Sequence, residues 1–223
     1  MAVRDALLAL LTVGPAYGFQ LHGGLAARTG GRRTVNVGQT YATLDRLTKQ
    51  GLVEPAGSTD DGLPLHRLTA AGHAAARAWL EGADAAGADA WDETVDRVLI
   101  ARSLPGWDAG GVVAAERARW AERRAEASMA AEATSTSSDE TAGSDAGETA
   151  LARLAAAAES ARADAALAWL DVVTRSERLA FSPRAERPKR GRRPGGASGP
   201  TSDDADADHG ADPGDDAQAS AMA

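Results

Sequence analysis

The chain has no cysteine, which excludes a disulfide framework, a thiol nucleophile and a thiolate metal site. No apolar run approaches the roughly 18 to 20 residues that a membrane span requires. There is no phosphate-binding glycine loop and no G-x-S-x-G elbow. The histidines His22, His66, His73 and His209 lack ligand spacing, so no metal and no cofactor is expected. The acid pairs Asp60-Asp61, Asp203-Asp204 and Asp215-Asp216 lie among turn formers or in the tail, where solvation accounts for them. Nothing in the sequence points to an enzyme. The opening run "MAVRDALLALL" is long enough for a signal-peptide core, but Asp5 cancels Arg4 where positive charge would be needed. Val3, Leu7, Leu10 and Leu11 share one helical face, so the run reads as an amphipathic helix of a cytoplasmic protein.

What is present divides by charge. Of 223 residues, 43% are hydrophobic and 25% charged, with a net charge of -8. Residues 1–80 carry eight Lys/Arg against five Asp/Glu, whereas residues 81–181 carry ten against nineteen. A basic head on an acidic body fits a nucleic-acid partner for the head.

The first eighty residues read as three helices, a hairpin and a fourth helix. Helix one, about Val3–Val13, stops at Gly14-Pro15, and helix two runs from Gly18 to Thr29. Asn36 is placed to cap helix three and Gly51 to stop it. Around "GSTDDG", two short extended pieces form a hairpin, and Thr69 caps the helix after it. A small-residue connector leads to helical residues 91–181, interrupted by a loop at about 132–148. In the last helix Leu151, Leu154, Ala158, Ala161, Ala165, Ala168 and Val172 step by three and four, the seam of a coiled coil and a reason to expect a homodimer. Residues 182–223 turn basic and then acidic without large apolar residues in the acidic part, and read as a disordered tail. Within it "PKRGRRPGG" is similar to a minor-groove AT-hook, but Arg193 interrupts the core and leaves a basic arm.

The expected fold is therefore mainly α with a small β-hairpin. An N-terminal winged helix-turn-helix (1–81) precedes an α-helical dimerisation domain (91–181) and the disordered tail. In a winged helix the third helix enters the DNA major groove and the hairpin lies along the backbone. Small Gly38 permits close approach, Gln39 suits an adenine edge, and Arg46 and Lys49 suit phosphates. Tyr41 either packs beside Leu44 and Leu47 or reaches a phosphate with its hydroxyl.

Three stretches, "GPAYGFQLHGG", "NVGQTYATLDRLTKQGLVEP" and "HRLTAAG", resemble consecutive signatures of the PadR-like transcriptional regulators. The matching positions are Gly14, Pro15, Gly18, Phe19 and Leu21; Gly38, Tyr41, Leu44, Arg46, Leu47, Gly51 and Leu52; and Arg67, Leu68, Thr69 and Gly72. The resemblance implies a homodimeric repressor of a nearby gene, bound to a double-stranded operator with two-fold symmetry and released by a small ligand or signal. The DNA-contact set expected from residues and resemblance together is Asn36, Gly38, Gln39, Thr40, Tyr41, Thr43, Arg46 and Lys49 on and before helix three. Arg32 and Arg33 precede it, and His66 and Arg67 are in the wing. Trp91 and Trp120 are the candidates to line an effector site, since aromatic walls suit flat ligands. The alternative is a winged helix that binds a protein and reads no DNA sequence.

Overall fold

A computed structural model describes residues 2–136, 146–177 and 181. Their order is α1 (Ala2–Leu11), α2 (Gly18–Arg28), α3 (Val37–Lys49), β1 (Val53–Ser58), β2 (Pro64–Leu68), α4 (Ala70–Leu80), α5 (Ala90–Ser103), α6 (Ala109–Thr136) and α7 (Ala146–Arg175). The expected disordered tail, residues 182–223, lies outside the described residues. The expected loop at 132–148 is shorter than its composition suggested: α6 continues to Thr136 and α7 begins at Ala146, with residues 137–145 outside the described ones. Among the described residues no helix is long and apolar enough to cross a membrane.

α1 departs from the expected amphipathic helix. Every residue from Ala6 to Leu11 is at most 6% exposed, so the helix is buried all round at its C-terminal half. α2, α4 and β2 pack against it, and so does α5 from the acidic half. Gly14, at φ 147°, and Pro15 then end the helix and turn the chain. Val98, Ile100, Ala101 and Leu104 of the α5 region join the same apolar cluster as Leu7 and Leu8. One core thus runs from the winged helix into the helical half.

The hairpin is antiparallel, pairing Val53 with Leu68, Glu54 with Arg67 and Pro55 with His66. Ala16, in the turn between α1 and α2, extends this sheet as an isolated bridge, exchanging both backbone hydrogen bonds with His66 at 3.0 and 2.9 Å. Gly72 opens the way for α4 to sit against the turn between α3 and β1. A Cβ there would lie 2.0 Å from the Leu52 carbonyl oxygen, which accepts from Thr69 N–H.

α5 carries charge into the interior. Glu93, Asp96 and Arg97 are all 0% exposed. Buried charges persist only when paired and hydrogen-bonded, and each of the three reaches a different element. Trp79 of α4 donates its indole N–H to Glu93 Oε2 at 2.6 Å. Arg97 donates to the Trp79 carbonyl at 2.6 Å and to Asp84 at 2.6 Å, and pairs with Glu116 of α6. Glu116 also accepts from Thr94 Oγ1 at 2.7 Å, and Thr94 accepts from the Trp120 indole at 2.9 Å. Burial alone would raise the Glu116 carboxyl, but the hydrogen bond from Arg119 and the neighbouring Arg97 and Thr94 hold it below its ordinary value. For Glu93 burial wins, and its carboxyl is raised despite the Trp79 hydrogen bond and Arg97.

Arg97→Met removes the buried cation shared by Glu116 and Asp84, and leaves Glu116 with Arg119 as its cation and Asp84 with Arg123. The expected loss is about 3–5 kcal/mol in urea unfolding, and a loss below about 1 kcal/mol would contradict the described pairing. Glu93→Gln tests the opposite sign. A carboxyl raised in the fold favours folding below its unfolded value, near 4.5, and loses that advantage as pH rises through the folded value. Glu93→Gln should therefore match the wild type in acid and exceed its stability at pH 8, as read by unfolding at both pH values.

Candidate nucleic-acid interface

α3 begins on a reciprocal cap. Asn36 Oδ1 accepts from Gln39 N–H at 2.7 Å, and Gln39 Oε1 accepts from Asn36 N–H at 3.2 Å. Leu44 and Leu47, 0% and 1% exposed, fasten the helix to the core. Tyr41 leans on α2, where a Cβ on Gly18 would meet its ring at 2.5 Å, so this glycine makes room for the tyrosine. Tyr41 nevertheless stays 39% exposed. Gly51, at φ 70°, then stops the helix as expected.

The exposed side of α3 is centred on one stripe. Gly38, Ala42, Asp45 and Lys49 follow the i, i+4, i+7, i+11 spacing opposite the buried residues, and all four are exposed. Gln39 and Arg46 flank this stripe on one side and Tyr41 on the other. Arg46 lies back along its own helix, donating to the Ala42 carbonyl and to Thr43 Oγ1, both at 3.2 Å. Lys49 has no hydrogen-bond or ion-pair partner among the described residues.

Of the expected contacts, two are buried and two are engaged in ion pairs. Thr40 is 0% exposed and faces the core with Leu44 and Leu47. Thr43, 7% exposed, spends its hydroxyl on the Gln39 carbonyl at 2.8 Å. Arg32 and Arg33 are engaged by α5: Arg32 bonds Asp92 at 2.8 Å, while Arg33 bonds Asp96 at 2.5 Å and lies 3.2 Å from Asp92. Burial alone would lower the Arg33 guanidinium, but Asp96 and Asp92 hold it above its ordinary value. These arginines fasten the turn before α3 to the acidic half.

In the wing, Arg67 remains exposed but bonds Glu54 across the hairpin at 2.7 Å. His66 is half-buried, and burial lowers its imidazole against the pull of Asp45. The imidazole is therefore neutral near pH 7 and a poor phosphate ligand. Asn36 and Gln39 are exposed but share the cap, so Gln39 presents its amide NH2 while its oxygen is occupied.

Trp91 and Trp120 are brought together, but by packing. Trp91 meets Trp120 and Trp169 edge-on, with centroids 6.3 and 5.3 Å apart, and Trp120 is 2% exposed. A cavity of about 1030 Å³ lies instead at the α5–α6 corner, between Ser103, Leu104, Trp107, Arg117, Asp171 and Phe181. Trp107, which the sequence reading left unassigned, lines it. Asp45 and Ala42 were also left out of the expected set. Their i+7 and i+4 spacing from Gly38 was the available signal.

Residues 7–78 match the sequence model of the transcriptional regulator PadR-like family. No curated protein matches the chain. Similar solved structures include a transcriptional regulator from Clostridium thermocellum, 21% identical over 34% of this chain and 74% of that one, at a TM-score of 0.32. Bacillus subtilis PadR in complex with operator DNA is 17% identical over 78% of this chain and 97% of that one, at 0.35. The Vibrio cholerae virulence activator AphA is 19% identical over 77% and 95%, at 0.32. The capped third helix and the hairpin behind it form a winged helix, and the sequence of residues 7–78 that builds it is similar to the transcriptional regulator PadR-like family.

Proposed function

We propose that the chain is a homodimeric, sequence-specific DNA-binding repressor whose α3 reads an operator of two-fold symmetry. The observation that carries this reading is the outward face of α3. It is capped, free of core contacts and small at its leading end, and it holds Arg46 and Lys49, the two exposed cations of residues 1–80 that no acid pairs among the described residues. In a winged helix that face belongs in the major groove, and the similarity of residues 7–78 to the PadR-like transcriptional regulators supports the reading. Small Gly38 and Ala42 let the helix axis approach the base edges. Gln39 offers an amide donor and Lys49 a phosphate contact.

A second copy is supported by α7. Its inner face, Ala163, Ala166, Leu170 and Val173, is buried in the core cluster. Its outer seam is left bare, with Leu151 at 67%, Leu154 at 68% and Val172 at 57% exposed, and Ala158, Ala161, Ala165 and Ala168 exposed between them. An apolar stripe of that length along a helix is what a two-fold partner would cover. Small-molecule release of the repressor belongs to the same proposal, and the cavity beside Trp107 is its natural seat, since Arg28 of α2 donates to Ser103 on its wall.

The function is tested by selecting genomic fragments with the full chain and titrating the retained ones at two salt concentrations. Enrichment of fragments that share an inverted repeat is expected. A response to DNA that is blind to sequence would favour the protein-binding alternative, to which the neutralised Arg67 lends weight. Lys49→Ala should weaken binding to every sequence and reduce the salt slope by about one. Arg32→Ala, whose cation already serves Asp92, should leave the slope unchanged. Equal slopes for wild type and Lys49→Ala would remove Lys49 from the interface. Leu151→Glu with Leu154→Glu should yield a monomer by light scattering with helix content retained, because neither side chain supports the monomer core. A dimeric mass would exclude the seam.

A further inference from the structure

The outward stripe of α3 holds one group that the proposed reading leaves unused. Gly38 and Ala42 have no polar side chain, so Asp45 is the first functional group met along the stripe, and it is the only acid on the helix. Its carboxylate is exposed and makes no hydrogen bond or ion pair among the described residues. Helix stability does not account for it. Lys49 stands at i+4, the spacing that favours an ion pair, yet no ion pair between them forms. Asp45 also lies in the C-terminal half of α3, where the helix dipole disfavours negative charge. The nearby imidazole of His66 is half-buried and kept from protonation by that burial. A lone carboxylate at the centre of a surface meant for a polyanion weakens every sequence-independent contact.

We propose that Asp45 is a specificity-determining residue that selects a cytosine in each half-site. This rests on the DNA-reading function proposed above. A carboxylate only accepts hydrogen bonds. In the major groove the amino donors are cytosine N4 and adenine N6, and the adenine amino group is flanked by acceptors on both sides, N7 and the thymine O4. Cytosine N4 has an acceptor on one side only, the O6 of its guanine. Asp45 therefore gains a bond at C·G and is repelled at the other pairs. Gly38 and Ala42 provide the depth that brings a side chain as short as aspartate to a base edge. Repulsion from phosphates and attraction to one amino group act in the same direction, since both raise the ratio of specific to non-specific binding.

The test uses the full chain and a randomised duplex library of about 40 base pairs, long enough for two half-sites one helical turn apart. Wild type, Asp45→Ala and Asp45→Asn are each taken through selection and sequencing, and each is titrated on one fixed mixed-sequence duplex. The wild type should select an inverted repeat with a C·G pair at one symmetric position. Asp45→Ala should keep the rest of the repeat, lose about ten-fold preference at that position, and bind the mixed-sequence duplex about three-fold more tightly at low salt. Asp45→Asn should move the preference there to A·T, because Asn pairs with adenine. Variants that select the wild-type repeat with unchanged strength overturn the role of Asp45 alone. So does loss of all selection by Asp45→Asn with helix content unchanged. A wild type that selects no repeat overturns the DNA-reading function, and the role falls with it.

Discussion

Three charged residues within one helical turn and a half of α5 cannot be buried unless neighbouring elements bring them partners, and this requirement fixes much of the molecule. Glu93 takes the indole N–H of Trp79 from α4. Asp96 takes Arg33 from the turn that leads into α3. Arg97 takes Glu116 from α6 and Asp84 from the connector. Burying any one of these ions alone would cost several kcal/mol, so the elements around α5 are not free to drift independently. The same helix also covers α1, which is why a helix patterned as amphipathic is buried all round toward its C-terminal end. The winged helix and the acidic half are consequently parts of one packed body. Whatever shifts α5 must pull on the turn before α3 through Arg32 and Arg33.

Local chemistry was legible in the sequence and long-range pairing was not. Asn36, Gly51 and Thr69 act through backbone groups within a few residues, and each sits where its residue type predicts. The two sides of α7 were also legible, because spacing alone separates its exposed outer stripe from the inner one that meets α6. The pairing of Arg32 and Arg33 with α5 was not legible, because their partners lie sixty or more positions away and nothing near them announces it. Thr40 is a different kind of error. Its position, four residues before Leu44 and seven before Leu47, puts it on the buried face, and its polarity was weighed above its spacing. Trp91 and Trp120 show the limit for aromatics. The indole of Trp120 is satisfied by Thr94 inside the core, an arrangement that composition cannot distinguish from a ligand wall.

The helical half shows how composition misleads over boundaries. "EATSTSSDE" begins with residues of modest helix propensity, yet α6 holds through Thr136. An antiparallel partner supplies the difference: α6 and α7 run along each other for most of their length, and tertiary packing outweighs propensity. Ion pairs such as Arg124–Asp164, at 2.9 Å, lie along that hairpin. They are exposed and contribute little, so alignment of the two helices depends chiefly on the buried inner row from Ala163 to Val173.

Charge accounting gives the winged helix an unexpected character. Of its eight basic residues, Arg4 pairs with Asp5, Arg32 and Arg33 with the α5 aspartates, Arg67 with Glu54, and Arg77 with Glu81. Arg28 is buried and donates to Ser103. Arg46 and Lys49 are left, both on the exposed flank and stripe of α3. The nominal excess of three positive charges thus reduces, for a polyanion, to two cations on one helix with a carboxylate between Ala42 and Lys49. Under the proposed function such a surface draws little affinity from phosphate neutralisation, the term that dominates non-specific binding. Base edges and the pairing of two protomers must then supply the rest, and a protein so built gains discrimination at the expense of non-specific attraction to DNA.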